Sequence, residues 1–207
     1  LQDSGETYVI FGEGNEYTAR HRLGLSELNG NNGFMISGID INDHSGSSVS
    51  FGGDINGDGY EDLLIGAPDA DPNDINDAGE SYVLFGKPDN FDSNFNLSAL
   101  NGTNGFIIKG IDEGDNSSKS ISFSGDINGD GYDDLIIGAH NADPNGLSNA
   151  GESYVIFGKA NGYEASLELS SLDGISGFVI NGINVDDKSG YSVSGAGDIN
   201  GDGYDDL

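Results

Sequence analysis

GDINGDGYEDLLIGAP, the stretch Gly53–Pro68, decides how this sequence folds. It places oxygen-bearing side chains at alternating positions, then a glycine, further acids and an apolar run. The same motif recurs as GDINGDGYDDLIIGAH and as GDINGDGYDDL. The three copies begin at Gly53, Gly125 and Gly197, a constant interval of 72 residues. An internal repeat of this kind is the first clue to an architecture built from similar units.

The composition is strongly acidic. The 207 residues carry 36 Asp and Glu against 7 Lys and Arg, a formal net charge of -29. Such a charge excludes a conventional nucleic-acid surface, and it argues against binding to anionic membranes. No apolar run approaches the length of a membrane span, so direct membrane insertion is not expected. The apolar residues cluster in short runs, which favours a folded protein over a disordered one.

Each period contains four short apolar segments. They are rich in Val, Ile, Phe and Tyr and are bounded by turn-forming residues, which is typical of β-strands. The run LLIGA is continuous, which suits a strand covered on both faces, whereas SVSF alternates and places Val49 and Phe51 on one face. In the first full unit the predicted strands are Ser48–Phe51, Asp62–Ala67, Ser81–Phe85 and Gly105–Lys109.

Four antiparallel strands per repeat predict an all-β protein, a β-propeller in which each repeat is one blade. A single blade cannot bury both of its faces, so the blades must stack on one another. A linear β-solenoid is the alternative, but its coils are usually much shorter than this period. The predicted units are residues 1–47 (third and fourth strands of a first blade), 48–119 and 120–191 (full repeats), and 192–207 (a truncated next blade).

About three blades are too few for a ring of typically about four to eight blades. We therefore expect this single propeller segment to be part of a larger ring or to be closed by association. Self-association would let one blade take strands from both ends of the chain.

The acidic stretch predicts a calcium loop. If Asp54 is position 1, side-chain oxygens fall at positions 1, 3, 5 and 9, and Gly59 at position 6 permits a sharp turn. The backbone carbonyl of position 7, Tyr60, then points inward as well. This set of hard oxygens suits Ca²⁺ better than Mg²⁺, which prefers a tight octahedron. The EF-hand pattern fails because position 12 is Ile65 rather than a glutamate.

Plain turn formation and transition-metal binding account for the acidic stretch less well. Asp and Asn also form ordinary turns, but three copies keep every oxygen-bearing position. The chain has no cysteine, and its three histidines lie outside the motif, so zinc and copper are poor fits.

The acidic stretch and its flanking residues match the pattern of a known repeat family. SFGGDINGDGYEDLLIGAP resembles the FG-GAP repeat of integrin alpha-chain β-propellers and of related bacterial surface proteins. Phe51-Gly52 matches the FG and Gly66-Ala67-Pro68 the GAP, whereas the second copy has His140 in place of the proline and the third ends before its GAP. The close copying between repeats looks bacterial. The resemblance implies a β-propeller with Ca²⁺ in the hairpin loops between the first and second strands of each blade.

Carried over residue by residue, the resemblance implies two to three Ca²⁺ ions per chain. The third set is the weakest, because its strand is cut after Leu207. The implied ligands are Asp54, Asn56, Asp58, the Tyr60 carbonyl and Asp62; Asp126, Asn128, Asp130, the Tyr132 carbonyl and Asp134; and Asp198, Asn200, Asp202, the Tyr204 carbonyl and Asp206.

A second acidic loop also recurs in the repeats. Asp71 and Asp143 occupy equivalent positions before a proline. They could bind another ion, but an Asp-Pro-Asn run is more typical of a turn. The only basic segment, YTARHR at 17–22, is interpreted as a salt-bridge partner of acidic neighbours.

The leading functional hypothesis is a non-catalytic, calcium-binding module of an extracellular or cell-surface protein. It would mediate adhesion or protein–protein interaction, with Ca²⁺ making the hairpin loops rigid. Common enzyme signatures are missing, including the nucleophile elbow, the zinc-protease helix and the phosphate-binding loop. The alternatives are a lectin-like propeller that binds glycans at the cell surface, or an accessory domain of a secreted polysaccharide- or lipid-degrading enzyme. Exposed aromatic residues such as Tyr17 or Tyr163 would support the glycan hypothesis.

Overall fold

The computed structural model describes residues 3–12, 23–160 and 162–207. These residues form an all-β fold, and none of their helices is long and apolar enough to span a membrane. The strands are β1 (Glu6–Ile10), β2 (Gly33–Ser37), β3 (Ser48–Gly53), β4 (Asp62–Ala67), β5 (Glu80–Leu84), β6 (Asn94–Asn96), β7 (Gly105–Lys109), β8 (Ser120–Gly125), β9 (Asp134–Ala139), β10 (Glu152–Ile156), β11 (Ser166–Glu168) and β12 (Gly177–Asn181). Single 3₁₀ turns lie at Leu25–Glu27, Pro72–Asp74, Leu97–Ala99, Pro144–Gly146 and Leu169–Ser171.

The strands form three sheets that repeat one pattern. In the second sheet β3, β4, β5 and β7 follow one another as antiparallel neighbours, and in the third sheet β8, β9, β10 and β12 do the same. The register repeats too, since Tyr82 lies opposite Ile65 on one side and Tyr154 lies opposite Ile137. The first sheet contains the antiparallel pair β1 and β2. This arrangement confirms the prediction of four-stranded propeller blades.

A short additional strand passes from one repeat to the sheet of the repeat before it. β6 lies between β5 and β7 in sequence, yet it pairs in parallel with β2. β11 likewise pairs in parallel with β7. The prediction of four strands per blade therefore missed a further strand in two sheets, because segments such as Asn94–Asn96 are three residues long and lack an apolar run. These strands fasten neighbouring blades together.

Burial follows the sequence pattern of each strand. All six residues of β9 are buried, and Leu64 and Ile65 of β4 are fully buried, as predicted for strands covered on both faces. Val49 and Phe51 of β3 share a face and are 55% and 67% exposed. In β8 the equivalent Ile121 and Phe123 are buried, because the second sheet covers them. The same strand thus becomes a core strand when a neighbouring sheet packs on it.

Two apolar clusters lie between the sheets. One joins the first and second sheets and contains Phe34, Ile36, Ile65, Tyr82 and Leu84. The other joins the second and third sheets through residues such as Leu64, Val83, Phe106, Ile121, Phe123, Leu135 and Tyr154. The core therefore sits between blades rather than within one, which is how stacked blades bury their faces.

The predicted strand ends agree with the structure to within two residues. β4 and β7 have the predicted bounds, β5 lies one residue earlier at both ends, and β3 continues to Gly53 past a register shift. Towards the end of the chain, Gly197 and Asp206 form an isolated antiparallel bridge. The division of the chain into units at residues 48, 120 and 192 stays a prediction.

Candidate metal centre

The three acidic loops occupy the same place in the fold. Each one connects the first strand of a unit to the second, and each is closed by a pairing between a glycine and the acid at position 9. The pairs are Gly53 with Asp62, Gly125 with Asp134, and Gly197 with Asp206. Because the sheets repeat, the structure brings the predicted residues of each set into one short hairpin loop.

The side chains at positions 1, 3 and 5 hold the backbone of the loop. In the first loop the carboxylate of Asp54 accepts from the amides of Asp58 at 3.0 Å and Gly59 at 2.8 Å. Asn56 Oδ1 accepts from the same Asp58 amide at 2.8 Å, and Asp58 Oδ1 accepts from the Tyr60 amide at 2.9 Å. The chain can curl in this way because Gly59 has a φ of +86°, which strains other residues.

The second and third loops repeat these contacts. Asp126 Oδ2 accepts from the Gly131 amide at 2.8 Å, and Asp198 Oδ2 accepts from the Gly203 amide at 2.9 Å. The hydrogen bonds that Asp198 accepts from backbone amides, above all the one from Gly203, lower the pKa of Asp198. The carboxylate at position 5 accepts from the next-but-one amide in both loops, Tyr132 and Tyr204 respectively, at 3.0 Å.

The acid at position 9 is buried in the first two loops. Asp62 accepts from the Ile55 amide at 3.0 Å and from the Gly86 amide at 2.8 Å, and Asp134 makes the equivalent pair of bonds. Burial is the main cause that raises the pKa of Asp62 to about 7 and of Asp134 to about 6, with nearby carboxylates adding to the rise. A buried carboxylate among others of like charge would be stabilised by a cation.

The donors in each loop suit a hard cation, although the side chains do not form a closed cage. Across residues 3–12, 23–160 and 162–207, no group of three or more Asp, Glu or His side chains is arranged so that it could hold a metal ion. The carboxylates are instead engaged with backbone amides. A carboxylate oxygen has more than one lone pair, so an amide bond leaves capacity for a cation. The carboxylate and amide oxygens, together with the carbonyl at position 7, have the chemistry that Ca²⁺ requires.

Asp71 and Asp143 each bond the backbone of their own loop, in keeping with the turn interpretation. Asp71 Oδ1 accepts from the Asp77 amide at 2.8 Å, and Asp143 Oδ1 accepts from the Asn149 amide at 2.7 Å. Both bonds span six residues and shape the loop before the third strand. The basic segment at 17–22 and Tyr17 lie outside the described residues.

The acid at position 8 was not among the residues predicted for the site. Asp133 Oδ2 accepts from the backbone amide of Asp54 in the preceding loop at 2.8 Å. Asp205 makes the equivalent bond to the Asp126 amide at 2.9 Å. The signal was present in the sequence, since every copy has an acid at this position, but only the structure shows that it reaches the neighbouring repeat.

Comparisons with known proteins agree on one family, the FG-GAP repeat proteins that include integrin alpha chains. The family model for the FG-GAP repeat matches residues 45–84 and 120–156. The chain is 30% identical to integrin alpha-PS2 of Drosophila melanogaster over 190 residues, 90% of this chain. It is 31% identical to human integrin alpha-6 over 81% of this chain, and 29% identical to integrin alpha-5 of Xenopus laevis over 84%. The matches cover 13% to 15% of the length of these integrins, so the chain spans only a small part of such relatives.

Proposed function

Because this chain is an FG-GAP repeat protein of the integrin alpha-like β-propeller type, we propose that it is a non-catalytic calcium-binding module of an extracellular or cell-surface protein. Its task is adhesion or protein–protein interaction. One observation carries the proposal: three hairpin loops at equivalent places repeat the same oxygen donors and the same amide contacts.

The ligands proposed for Ca²⁺ are the three sets predicted from the sequence. In the first loop they are Asp54, Asn56, Asp58, the Tyr60 carbonyl and Asp62. The bound ion would supply positive charge next to the buried carboxylate at position 9, and the residues of the loop would hold it through oxygen atoms. Ion binding to the folded state stabilises that state by mass action, so calcium would make the loops rigid.

The amide contacts reduce the conformational cost of binding an ion. Asp54 and Asp58 are already fixed by bonds to backbone amides within the loop. Preorganised ligands lose less conformational freedom on binding, which favours affinity. Calcium therefore tightens an existing loop and need not fold a disordered one.

The glycan-binding alternative receives less support. Tyr163, one of its candidate aromatic residues, stacks on Phe106 with ring centroids 4.6 Å apart. Its hydroxyl donates to the carbonyl of Ile55 at 2.7 Å. A half-buried ring committed to the contact between blades is a poor platform for a sugar, so we favour a protein partner.

The experiment is a calcium titration by isothermal calorimetry on the metal-stripped chain, with thermal melts in EDTA and in calcium. We expect two or three sites per chain and a clear rise of the melting temperature. The variant with Asp54→Ala and Asp126→Ala should lose two of these sites. Asp71→Ala with Asp143→Ala is the matched control, because those acids shape turns elsewhere and should leave the number of sites unchanged. A folded chain that does not respond to millimolar calcium would refute the proposal.

A further inference from the structure

The acidic loops of neighbouring repeats are joined directly to each other. Asp133, at position 8 of the second loop, accepts from the Asp54 amide, and its own amide donates to the Asp54 carbonyl at 3.3 Å. Asp205 in the third loop forms the same reciprocal pair with Asp126 of the second, also at 3.3 Å for the amide of Asp205. Both pairs link residues 79 positions apart. The first residue of one loop is thus held by the eighth residue of the next.

A tyrosine reinforces each link. A Cβ placed on Gly57 would lie 2.3 Å from Cε1 of Tyr132, and a Cβ placed on Gly129 would lie 2.4 Å from Cε1 of Tyr204. The position-7 ring of one loop therefore packs against the position-4 glycine of the loop before it. No larger residue fits at position 4 unless the ring moves. This contact and the position-8 bonds join the same two loops at two points.

A third contact ties the first loop to the following blade. The carbonyl of Ile55 accepts from the Lys159 amide at 2.9 Å and from the Tyr163 hydroxyl. The segment that carries these donors is held in turn by Asp134, which accepts from the Gly158 amide at 2.8 Å. Asp134 is the position-9 acid of the second loop. One short segment therefore contacts both loops.

From these contacts we infer that the loops bind calcium cooperatively, and that Asp133 and Asp205 are the positioning residues that transmit the coupling. The inference rests on the proposed calcium binding. In the second loop Asp133 lies between two proposed ligands, the Tyr132 carbonyl and Asp134. An ion bound there fixes residues 132–134, and with them the carboxylate that holds the start of the first loop. The first loop then loses less freedom when it binds its own ion, which is positive coupling.

The sign of the coupling distinguishes this mechanism from plain electrostatics. Two bound cations repel each other, so loops that interact only through charge give independent or negatively coupled sites. Coupling free energies between sites correspond to roughly 5- to 150-fold changes in affinity. Because two hydrogen bonds and one ring contact carry the link, we expect about a tenfold effect, in the lower part of that range.

The test measures each loop separately in the full chain. Backbone amide NMR signals of Gly59 and Gly131 report the first and second loops while calcium is added. Asp130→Ala removes a proposed ligand and so prevents calcium binding in the second loop. We expect this block to raise the Kd of the first loop for calcium about tenfold. In an Asp133→Ala background, which removes the carboxylate bond but keeps the Asp133 amide bond and the Tyr132 contact, the same block should raise the Kd of the first loop only about two- to fivefold.

Glu61→Ala is the matched control, because Glu61 holds position 8 of the first loop and is exposed. It should leave the tenfold coupling intact. If Asp133→Ala loses its dispersed amide spectrum, Asp133→Asn takes its place, since it keeps an acceptor oxygen without the charge and should weaken the coupling only in part.

The outcomes separate the two proposals. If neither glycine signal responds to millimolar calcium, calcium binding itself is refuted. If both respond but the block leaves the Kd of the first loop unchanged or lowered, the cooperative link is overturned and calcium binding stands. The link is also overturned if the tenfold effect persists unchanged without the Asp133 carboxylate.

Discussion

Asp115 is a buried carboxylate whose ionisation lowers the stability of the folded protein. Its side chain is only 6% exposed. Burial, together with the carboxylates of Asp112, Glu152 and Asp143, raises its pKa to about 7. Asp115→Asn keeps the shape of the side chain and one acceptor oxygen, but it removes the charge. We expect this variant to be more stable than the parent above neutral pH.

The direction of the pH dependence of stability follows from the proton that Asp115 keeps in the folded state. Between about pH 4 and 7 the folded state keeps a proton that the unfolded chain has lost, so stability falls as the pH rises through this window. Each pKa unit is worth about 1.4 kcal/mol. The rise from 3.8 to about 7 thus sets a ceiling of about 4 kcal/mol on the cost of ionising Asp115 in the folded protein. Relaxation of the site and residual structure in the unfolded chain reduce this, so we expect a gain of about 1–3 kcal/mol at pH 8.

The assay is urea denaturation of the parent and of Asp115→Asn at pH 8 and pH 4, with the calcium concentration held constant. The gain in the free energy of unfolding should be present at pH 8 and absent at pH 4, where Asp115 is protonated in the folded parent. Asp187→Asn is the matched control, because Asp187 holds the same position in the next repeat and is exposed. It should change stability by less than about 0.5 kcal/mol at either pH. An equal gain at both pH values would refute the reasoning, since a packing effect independent of charge would then be responsible.

Two further predictions concern the contacts between blades. Gly57→Ala should lower the free energy of unfolding by about 2–4 kcal/mol, because a φ of +70° strains alanine and its Cβ meets the Tyr132 ring. Gly59→Ala, at a φ of +86° with open space around its Cβ, should cost only about 1–2 kcal/mol in the same denaturation assay. Tyr163→Phe keeps the ring but loses the bond to the Ile55 carbonyl, so it should cost about 1 kcal/mol, and a neutral result would contradict that role.

The sequence predicts whatever lies within one repeat. The apolar run in β4 and the turn chemistry of the acidic loop are local signals, and β4 has the predicted bounds of Asp62–Ala67. The bonds from the side chains of Asp54, Asn56 and Asp58 to the loop backbone also follow from local rules, because Asp and Asn readily bond amides a few residues away. The fold class and the proposed ligand sets could therefore be predicted from periodicity, spacing and the family resemblance.

The features that sequence reasoning missed all join one repeat to another. β6 carries no apolar run of its own, and it becomes a strand because β2 of the preceding sheet offers an unpaired edge. Asp133 looks like one more acid beside Asp134, but its carboxylate reaches Asp54 in the preceding repeat. A period of 72 residues shows that units repeat. It does not show which side chains cross from one unit to the next, because that depends on how the sheets pack.

The isoleucine at position 2 of the acidic loops shows how the packing of blades affects the site. Ile55 is fully buried in the core cluster, Ile127 is half-buried, and Ile199 is 75% exposed. The three residues have the same sequence context, so the difference comes from the neighbouring repeat. Ile55 lies where the third sheet packs on the second, and its amide donates to the buried Asp62 while its carbonyl is held by the next blade. The amide of position 2 donates to the position-9 acid in all three loops, including the third, where Ile199 is exposed, so burial is not needed for that bond. The blade that follows thus adds a bond to the position-2 carbonyl of the first loop, whereas the order within the nine residues rests on amide contacts that all three loops share.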